Sequence, residues 1–262
     1  MTPAEIEDAA RELLDMRATH RVEVDLPERL RPTSLDDAYA IQRRVVAGLL
    51  PADGRRIGYK AACTSAIAQA ALQIDAPLFG TLMSHSSWPT GSTLATSKFV
   101  HRVIEAEFAF RMGTDAMPLP GGHTIESISE CIDAVIPAIE VVDYHYVAWT
   151  IGALQVAADN AIHGAWIYGE PSDEWRTGDL AKAGVSVRVN GDVVTTGSGA
   201  AVLGHPLTVV AWLADELPRF GLQLRAGDVV TTGVTTGVFE AVAGDHVEAT
   251  FDGVGSVSVR FD

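Results

Sequence analysis

The chain has 262 residues, 47% of them hydrophobic, and a formal net charge of −15. That is enough apolar material for one large core or two small ones, and it sets aside the disordered and collagen-like classes. The acidic balance argues against nucleic acid and anionic membrane surfaces as partners, because both carry the sign of the average surface field.

Thr2, Pro3 and Glu5 form a capping box with proline at the first helical position. Ile6, Ala9, Ala10, Leu13 and Leu14 then share one stripe, which predicts a helix to about Thr19. Ser34 with Asp37 repeats the start signal, and Ala38, Ile41, Val45 and Leu49 predict a second amphipathic helix that ends at Pro51 to Gly54. Residues 1–55 therefore read as a helical segment, and residues 56–262 as a strand-rich body continuous with it. The opening Met1-Thr2-Pro3-Ala4-Glu5 lacks the basic and apolar regions of a secretion leader. With only Cys63 and Cys131 available for disulfides, the expected compartment is the cytoplasm. No apolar run approaches the roughly 20 residues that span a bilayer.

Ile57 to Cys63 reads as a strand that carries Lys60 and runs into Thr64-Ser65, an N-cap for a short helix over Ala66 to Leu72. Val103 to Phe110 is the most informative stretch. Strand alternation places Glu105 and Glu107 on one face and Ile104, Phe108 and Phe110 on the other, so two like charges stand side by side. Alone, such a pair is the wet face of a half-buried strand. Glu140 changes that reading, since Ala134 to Val142 is apolar at both parities and predicts a strand covered on both faces, where an uncompensated carboxylate costs several kcal/mol. If the two strands are neighbours, three carboxylates converge, and an all-oxygen set without cysteine suits Mg²⁺ or Mn²⁺ better than zinc. Arg111 lies on the face of Glu105 and Glu107 and is a candidate cation for a second substrate carboxylate, set against a plain exposed strand end.

Further along, Thr124 to Asp133 reads as a helix, Ile151 to Ala158 as another, Ile162 to Tyr168 as a strand and Pro171 to Gly178 as a loop. Val185 to Val189, Asn190-Gly191 and Val193-Val194 are a two-residue hairpin signal. Beyond Gly204-His205-Pro206 comes a helix with Val209, Val210, Leu213 and Leu217 on one stripe, then strands at Val229 to Thr232, Val247 to Phe251 and Val257 to Phe261. Helices dominate the first third and strands the last, which gives an α+β class. The Gly197 to Gly204 loop has no nucleotide-loop spacing and no following lysine, and the eight histidines include no zincin pair. Cys63 reads as a small buried residue rather than a nucleophile. Thr235, in the Thr232 to Thr236 loop, is a candidate hydrogen-bond donor to a substrate carboxylate.

Taken together, Ile57-Gly58-Tyr59-Lys60-Ala61-Ala62-Cys63-Thr64-Ser65, Ile104-Glu105-Ala106-Glu107, Ala138-Ile139-Glu140-Val141-Val142-Asp143, Ala158-Asp159-Asn160-Ala161, Gly204-His205-Pro206 and Gly253-Val254-Gly255-Ser256-Val257 resemble one family. It is the 2-hydroxypentadienoate hydratase and 4-oxalocrotonate decarboxylase branch of the fumarylacetoacetate hydrolase superfamily, matched from about Leu35 to Phe261. The resemblance implies a β-rich, mixed-sheet roll with an N-terminal helical part, usually assembled as a homo-oligomer and in some cases with a partner enzyme of its pathway. It also implies Glu105, Glu107 and Glu140 as metal ligands and Lys60 as the active-site lysine. Three departures bear on the pocket. Leu78 stands where the hydratases carry an aspartate and the decarboxylases an apolar residue. Ile162 replaces a serine, with His163 after it as another polar group for the substrate, and Ala62-Cys63-Thr64-Ser65 replaces G-L-T-S. The implied chemistry is lyase chemistry on a 2-oxo acid, in which a hard cation stabilises the charge developing on the 2-oxo oxygen. Without a carboxylate at position 78, decarboxylation is favoured over hydration. Acylpyruvate-type carbon–carbon hydrolysis and a silent scaffold protein are the remaining alternatives.

Overall fold

In the computed structural model, which describes residues 1–147 and 151–262, two capped helices open the chain. They are α1 (Pro3–Thr19), closed by the Thr2/Glu5 box, and α2 (Leu35–Leu49), capped by Ser34. The following elements are β1 (Arg56–Ala62), α3 (Ala66–Leu72), β2 (Leu78–Met83), β3 (Ser87–Pro89), β4 (Ser92–Leu94), β5 (Val103–Met112), α4 (Ile125–Ser129), β6 (Ile132–Val142), α5 (Ala153–Ala158) and β7 (His163–Tyr168). The last part contributes β8 (Gly184–Val189), β9 (Asp192–Ser198), α6 (Pro206–Glu216), β10 (Val229–Thr231), β11 (Phe239–Glu240), β12 (His246–Phe251) and β13 (Gly255–Phe261). None of the described helices is long and apolar enough to cross a membrane.

The strands form two sheets. The larger runs β2-β1-β10-β5-β6-β7-β3, with β11 paired to the start of β5, and the smaller runs β4-β13-β12-β8-β9. Both are mixed, since β1 with β10, β3 with β7 and β4 with β13 are parallel and the other pairs antiparallel. The long β5/β6 pair is the spine of the larger sheet, in register from Val103↔Val142 to Arg111↔Ala134. Its two faces differ. On one, Phe108 meets Phe251 of β12 with ring centroids 5.0 Å apart, so the smaller sheet covers the side that carries Ile104, Phe108 and Phe110. Burying each of those phenylalanines stabilises the fold by about 1.5–3 kcal/mol. The opposite face holds the glutamates, and the main apolar core extends from Ala9 in α1 to Phe261 in β13.

The fold is therefore α+β, with curled mixed sheets and helices at the N-terminus, as the sequence implies. Some element bounds differ. The helix expected over Thr124 to Asp133 stops at Ser129, because β6 begins at Ile132 and pairs with β5. The helix expected from Ile151 begins at Ala153, after Gly152 as its cap; Ala148 to Thr150, just before it, lie outside the described residues. The strand expected from Ile162 begins at His163, because Ile162 has left-handed backbone dihedrals that no strand accepts. Within the loop expected over Pro171 to Gly178, residues Glu174–Thr177 form a 3₁₀ turn.

Candidate active site

Antiparallel register sets Glu105 directly opposite Glu140, and Glu107 lies one pleat further along the same face of β5. Carboxylate oxygens of the three residues lie within 4.8 Å of one another. Lys60 comes from β1, separated from β6 by β10 and β5. Side chains standing perpendicular to a flat sheet could not bridge three strand spacings of about 4.8 Å each. The sheet curls, and Lys60 Nζ reaches within 3.2 Å of Glu140 Oε2 while donating to the Ala161 carbonyl at 3.1 Å.

Each side chain has a defined surround. Thr231 Oγ1 donates to Glu107 Oε2. Glu140 Oε1 lies 2.9 Å from His163 Nδ1, and the other ring nitrogen of that histidine is 3.3 Å from Ser86 Oγ. Glu107 and Glu140 are fully buried, and Glu105, half-buried, is the most open of the three. Two buried oxygens, Glu107 Oε1 and Glu140 Oε2, lack a hydrogen-bond partner; Lys60 stands beside the second without hydrogen-bonding geometry.

Burial, reinforced by the charges of Glu140 and Glu105, pushes Glu107 well above the ordinary carboxylate range. Burial also carries Glu105 up to about 7 against the pull of Lys60. At Glu140 burial acts upward too, but Lys60 and the His163 hydrogen bond outweigh it and hold the group below its usual value. Burial opposes charge on Lys60, yet the three glutamates more than offset it and raise the ammonium above its normal range, so it is protonated at neutral pH. When ionised, the three carboxylates outnumber the one ammonium, and Glu107 Oε1 is buried with no hydrogen-bond partner. A hard divalent cation with oxygen ligands fits such a set, and zinc, which prefers nitrogen and sulfur, fits it poorly.

A cavity of about 210 Å³ opens from Lys60 and Glu105. Its wall is otherwise largely apolar, with Ala61, Ala62, Ala68, Ala71, Leu72, Val142, Ile151, Val156, Ile162 and Val234 beside Cys63, Thr64, Ser65 and Gly233. Lys60 is the only cationic side chain among the described residues that line it. Gly233 has φ +98° and its missing Cβ would sit 1.9 Å from Thr64 Oγ1, so no other residue fits that part of the wall. Cys63 is part of the wall, and burial lifts its thiol to about 11, which leaves it a poor nucleophile at neutral pH.

Three consecutive non-glycine residues, Asn160, Ala161 and Ile162, have φ of 50°, 50° and 52°. Each left-handed residue costs roughly 1–2 kcal/mol, so their surroundings must enforce the conformation. The Asn160 amide accepts from Thr81 N at 2.7 Å and donates to Thr81 O at 3.0 Å, and Gly80 has no Cβ where one would meet the Asn160 carbonyl at 2.6 Å. From the other side, Arg17 of α1 bonds Asp159 Oδ1, the Asp159 carbonyl and the His163 carbonyl. This short segment supplies Ala161 O to Lys60, Ile162 to the cavity and His163 to Glu140.

The structure thus brings Lys60, Glu105, Glu107, Glu140 and His163 together and puts Ile162 in the wall. The other expected pocket residues lie elsewhere. Leu78, opposite Ala62 in β2, is in a neighbouring cleft rather than this cavity. His163 points at Glu140 and not at the cavity. Thr235 Oγ1 donates to the Ala106 carbonyl at 2.7 Å, extending the β5 edge between β10 and β11, and has no proton left for a ligand. Arg111 pairs with Asp133 at 2.8 Å on a half-exposed strand end, so it is not a cation of this site.

Residues 58–262 match the family described as fumarylacetoacetate (FAA) hydrolase C-terminal. The chain belongs to the fumarylacetoacetate hydrolase family. It is 33% identical over 262 residues, all of this chain and 97% of the relative, to a 2-keto-4-pentenoate hydratase of Paraburkholderia xenovorans (strain LB400). It is 36% identical over 244 residues, 92% of this chain and 89% of the relative, to a 4-oxalocrotonate decarboxylase of Pseudomonas putida. Among solved structures, 4-oxalocrotonate decarboxylase from Pseudomonas putida G7, complexed with magnesium and adipate, superimposes with a TM-score of 0.93 at 31% identity, covering 100% of this chain and 99% of that one. Set beside this member of the fumarylacetoacetate hydrolase family, sequence reasoning missed Arg17, Ser86 and Thr231 at the site. Thr231 lies within the strand predicted over Val229 to Thr232, but nothing in that short run marks its hydroxyl for Glu107, and Arg17 and Ser86 carry no local signal either.

Proposed function

We propose that the protein is a divalent-metal-dependent lyase that decarboxylates a 2-oxo-3-enedioate. The observation that carries the reading is a single lysine, Lys60, set among three carboxylates at the end of an otherwise largely apolar cavity. Glu105, Glu107 and Glu140 are the residues that would hold Mg²⁺, with Mn²⁺ an equally suitable hard cation for the same oxygens. When bound, the ion supplies positive charge for the substrate's carboxylate and 2-oxo oxygen, where negative charge develops. Decarboxylation breaks the bond to the distal carboxylate, and the released electron pair shifts through the alkene to the 2-oxo oxygen. Apolar walls favour that step, because the carboxylate loses its charge as it leaves as CO₂ and poor solvation burdens only the reactant. Lys60, charged and aimed by the Ala161 carbonyl, is the proton donor for the resulting dienol. Residence in the cytoplasm, in keeping with free Cys63 and Cys131, and assembly as a homo-oligomer belong to the same reading.

Hydration of a 2-hydroxy-2,4-dienoate is the second reading, favoured by the end-to-end similarity to the hydratase. It requires both an acid and a base near the reacting carbons, and among the described residues lining the cavity the one carboxylate beside Lys60 is Glu105, which would be taken up in holding the ion. The purified protein with Mg²⁺, given 2-hydroxymuconate-type dicarboxylates and 2-hydroxypentadienoate, decides between them by CO₂ release and ultraviolet loss. CO₂ from the dicarboxylate supports decarboxylation; consumption of the dienoate without CO₂ overturns it in favour of hydration.

A further inference from the structure

Residues 1–57 lie outside the matched family region, yet α1 reaches the active site through one side chain. The Arg17 guanidinium is largely buried and makes three bonds: Nε to Asp159 Oδ1 at 2.6 Å, and its two terminal nitrogens to the Asp159 and His163 carbonyls, each at 3.0 Å. These anchor both ends of the segment whose middle three residues are left-handed. Asp159 is 1% exposed and its Oδ2 has no hydrogen-bond partner, so among the described residues Arg17 is the cation that neutralises it. Without the anchors, Asn160, Ala161 and Ile162 would relax toward ordinary dihedrals, and the Ala161 carbonyl would swing away from Lys60 Nζ.

We propose that Arg17 is a positioning residue of the active site: its three-bond clamp on Asp159 and His163 holds the strained Asn160–Ile162 turn that presents the Ala161 carbonyl to Lys60 and Ile162 to the cavity. The helical segment is then part of the catalytic constellation and not only packing around it. The planar fork of arginine is essential to this role, because lysine carries the same charge on one nitrogen and cannot meet three acceptors in fixed directions. The catalytic consequence rests on Lys60 being the proton donor of the proposed lyase.

Three variants test the clamp: Arg17→Lys, the neutral double variant Arg17→Met with Asp159→Asn, and Arg21→Met as a control. Arg21 follows α1 and, among the described residues, pairs with Glu12, Asp15 and Glu23 at the surface. The double variant removes the buried charge with its partner, so it folds even where Arg17→Met alone does not. The expected result for Arg17→Lys and for the double variant is a kcat about 10–100-fold lower with KM changed less than about threefold, the range seen when groups supporting a reactive side chain are removed. Amide hydrogen exchange in the 159–163 segment of both should also speed up by at least tenfold, with calorimetric Mg²⁺ binding retained. Arg21→Met should change none of these. A kcat within twofold of the parent in Arg17→Lys, or unaltered exchange in the double variant, overturns the proposal. Exchange needs no substrate, so it decides the clamp even if the parent protein turns over none of the 2-oxo acids and the lyase reading itself fails.

Discussion

The same face of β5 and β6 is built in two opposite ways along its length. Toward one end it carries Glu105, Glu107 and Glu140 with Lys60 above them. A few residues further, Ala109, Ile136 and Ala138 join Leu82 and Trp166 in a small dry cluster of their own. Both ends are buried on one sheet, under one register, so neither strand propensity nor depth separates them. What differs is what each would lose on exposure to water. The alanine and isoleucine end is stabilised by leaving water, whereas the glutamate end is destabilised by it, and that cost is tolerated where a compensating charge is supplied from outside. Stability and function are therefore partitioned along two strands, and each end should respond to its own perturbation.

The largest effect is expected at Glu107. Glu107→Gln keeps the shape and removes the charge, and it should abolish Mg²⁺ binding in calorimetry together with at least about 99% of turnover. Normal binding and turnover in that variant would refute the assignment of the charged end. Next, Lys60→Ala should retain Mg²⁺ while turnover falls by about 10²–10⁴-fold, measured by CO₂ release in the metal-saturated protein. Loss of the ion instead would mean that the lysine organises the carboxylates rather than handling a proton.

At the dry end the pattern should reverse. Ile136 is 4% exposed, and Ile136→Ala should lower unfolding free energy by about 2–5 kcal/mol in denaturant titration while leaving Mg²⁺ affinity as it was. A change in affinity as large as the change in stability would show that the two ends are not separable.

Acidity offers a graded version of the same contrast. Glu105 is raised from 4.5 to about 7 and Glu107 in the same direction, so between these values the folded, metal-free protein holds more protons than the unfolded chain. The stability Glu105 contributes is full below pH 4.5 and is lost as pH rises through about 7, and that of Glu107 is lost in the same direction; Glu140, lowered, acts in the opposite sense and contributes above its unfolded value. Mg²⁺ held by the proposed ligands would compete with the protons on Glu105 and Glu107. The rise in Tm caused by saturating Mg²⁺ should be small at pH 5.5 and grow toward pH 8, and a rise that does not vary with pH would place the ion elsewhere. The smallest effect belongs to Arg111→Ala at the far end of β5. Its half-exposed pair with Asp133 is worth less than about 1 kcal/mol, and KM should not change; a rise in KM above fivefold would return Arg111 to the site.

Much of this was legible because the relevant patterns are local. Glu105 and Glu107 are two apart in an apolar run, which is a statement about one strand, and Glu140 stands out because its neighbours at both parities are apolar. The Thr2 and Ser34 caps and the Asn190-Gly191 turn are likewise read from a few adjacent residues, and the structure contains each. The pocket walls were less legible. Leu78 and His163 were marked by motif position and Thr235 by its Gly/Thr loop, but which way a side chain turns depends on the segment opposite it, and all three turn away from the cavity. Arg17 carried no signal at all, since an arginine late in an amphipathic helix is ordinary until the residue it meets, 142 positions later, is known.

By itself, the chain's sequence determined the helical start, the strand-rich body, the faces of β5 and β6 and the excess of acid along one of them, because alternation and capping act over a few bonds. Only the tertiary structure decided that Lys60 crosses to Glu140, that Arg17 reaches Asp159 and that a largely apolar cavity meets the carboxylates. Those contacts depend on sheet curl and on loops that join distant segments, and the free energy that fixes them comes from the whole core rather than from any stretch of neighbouring residues.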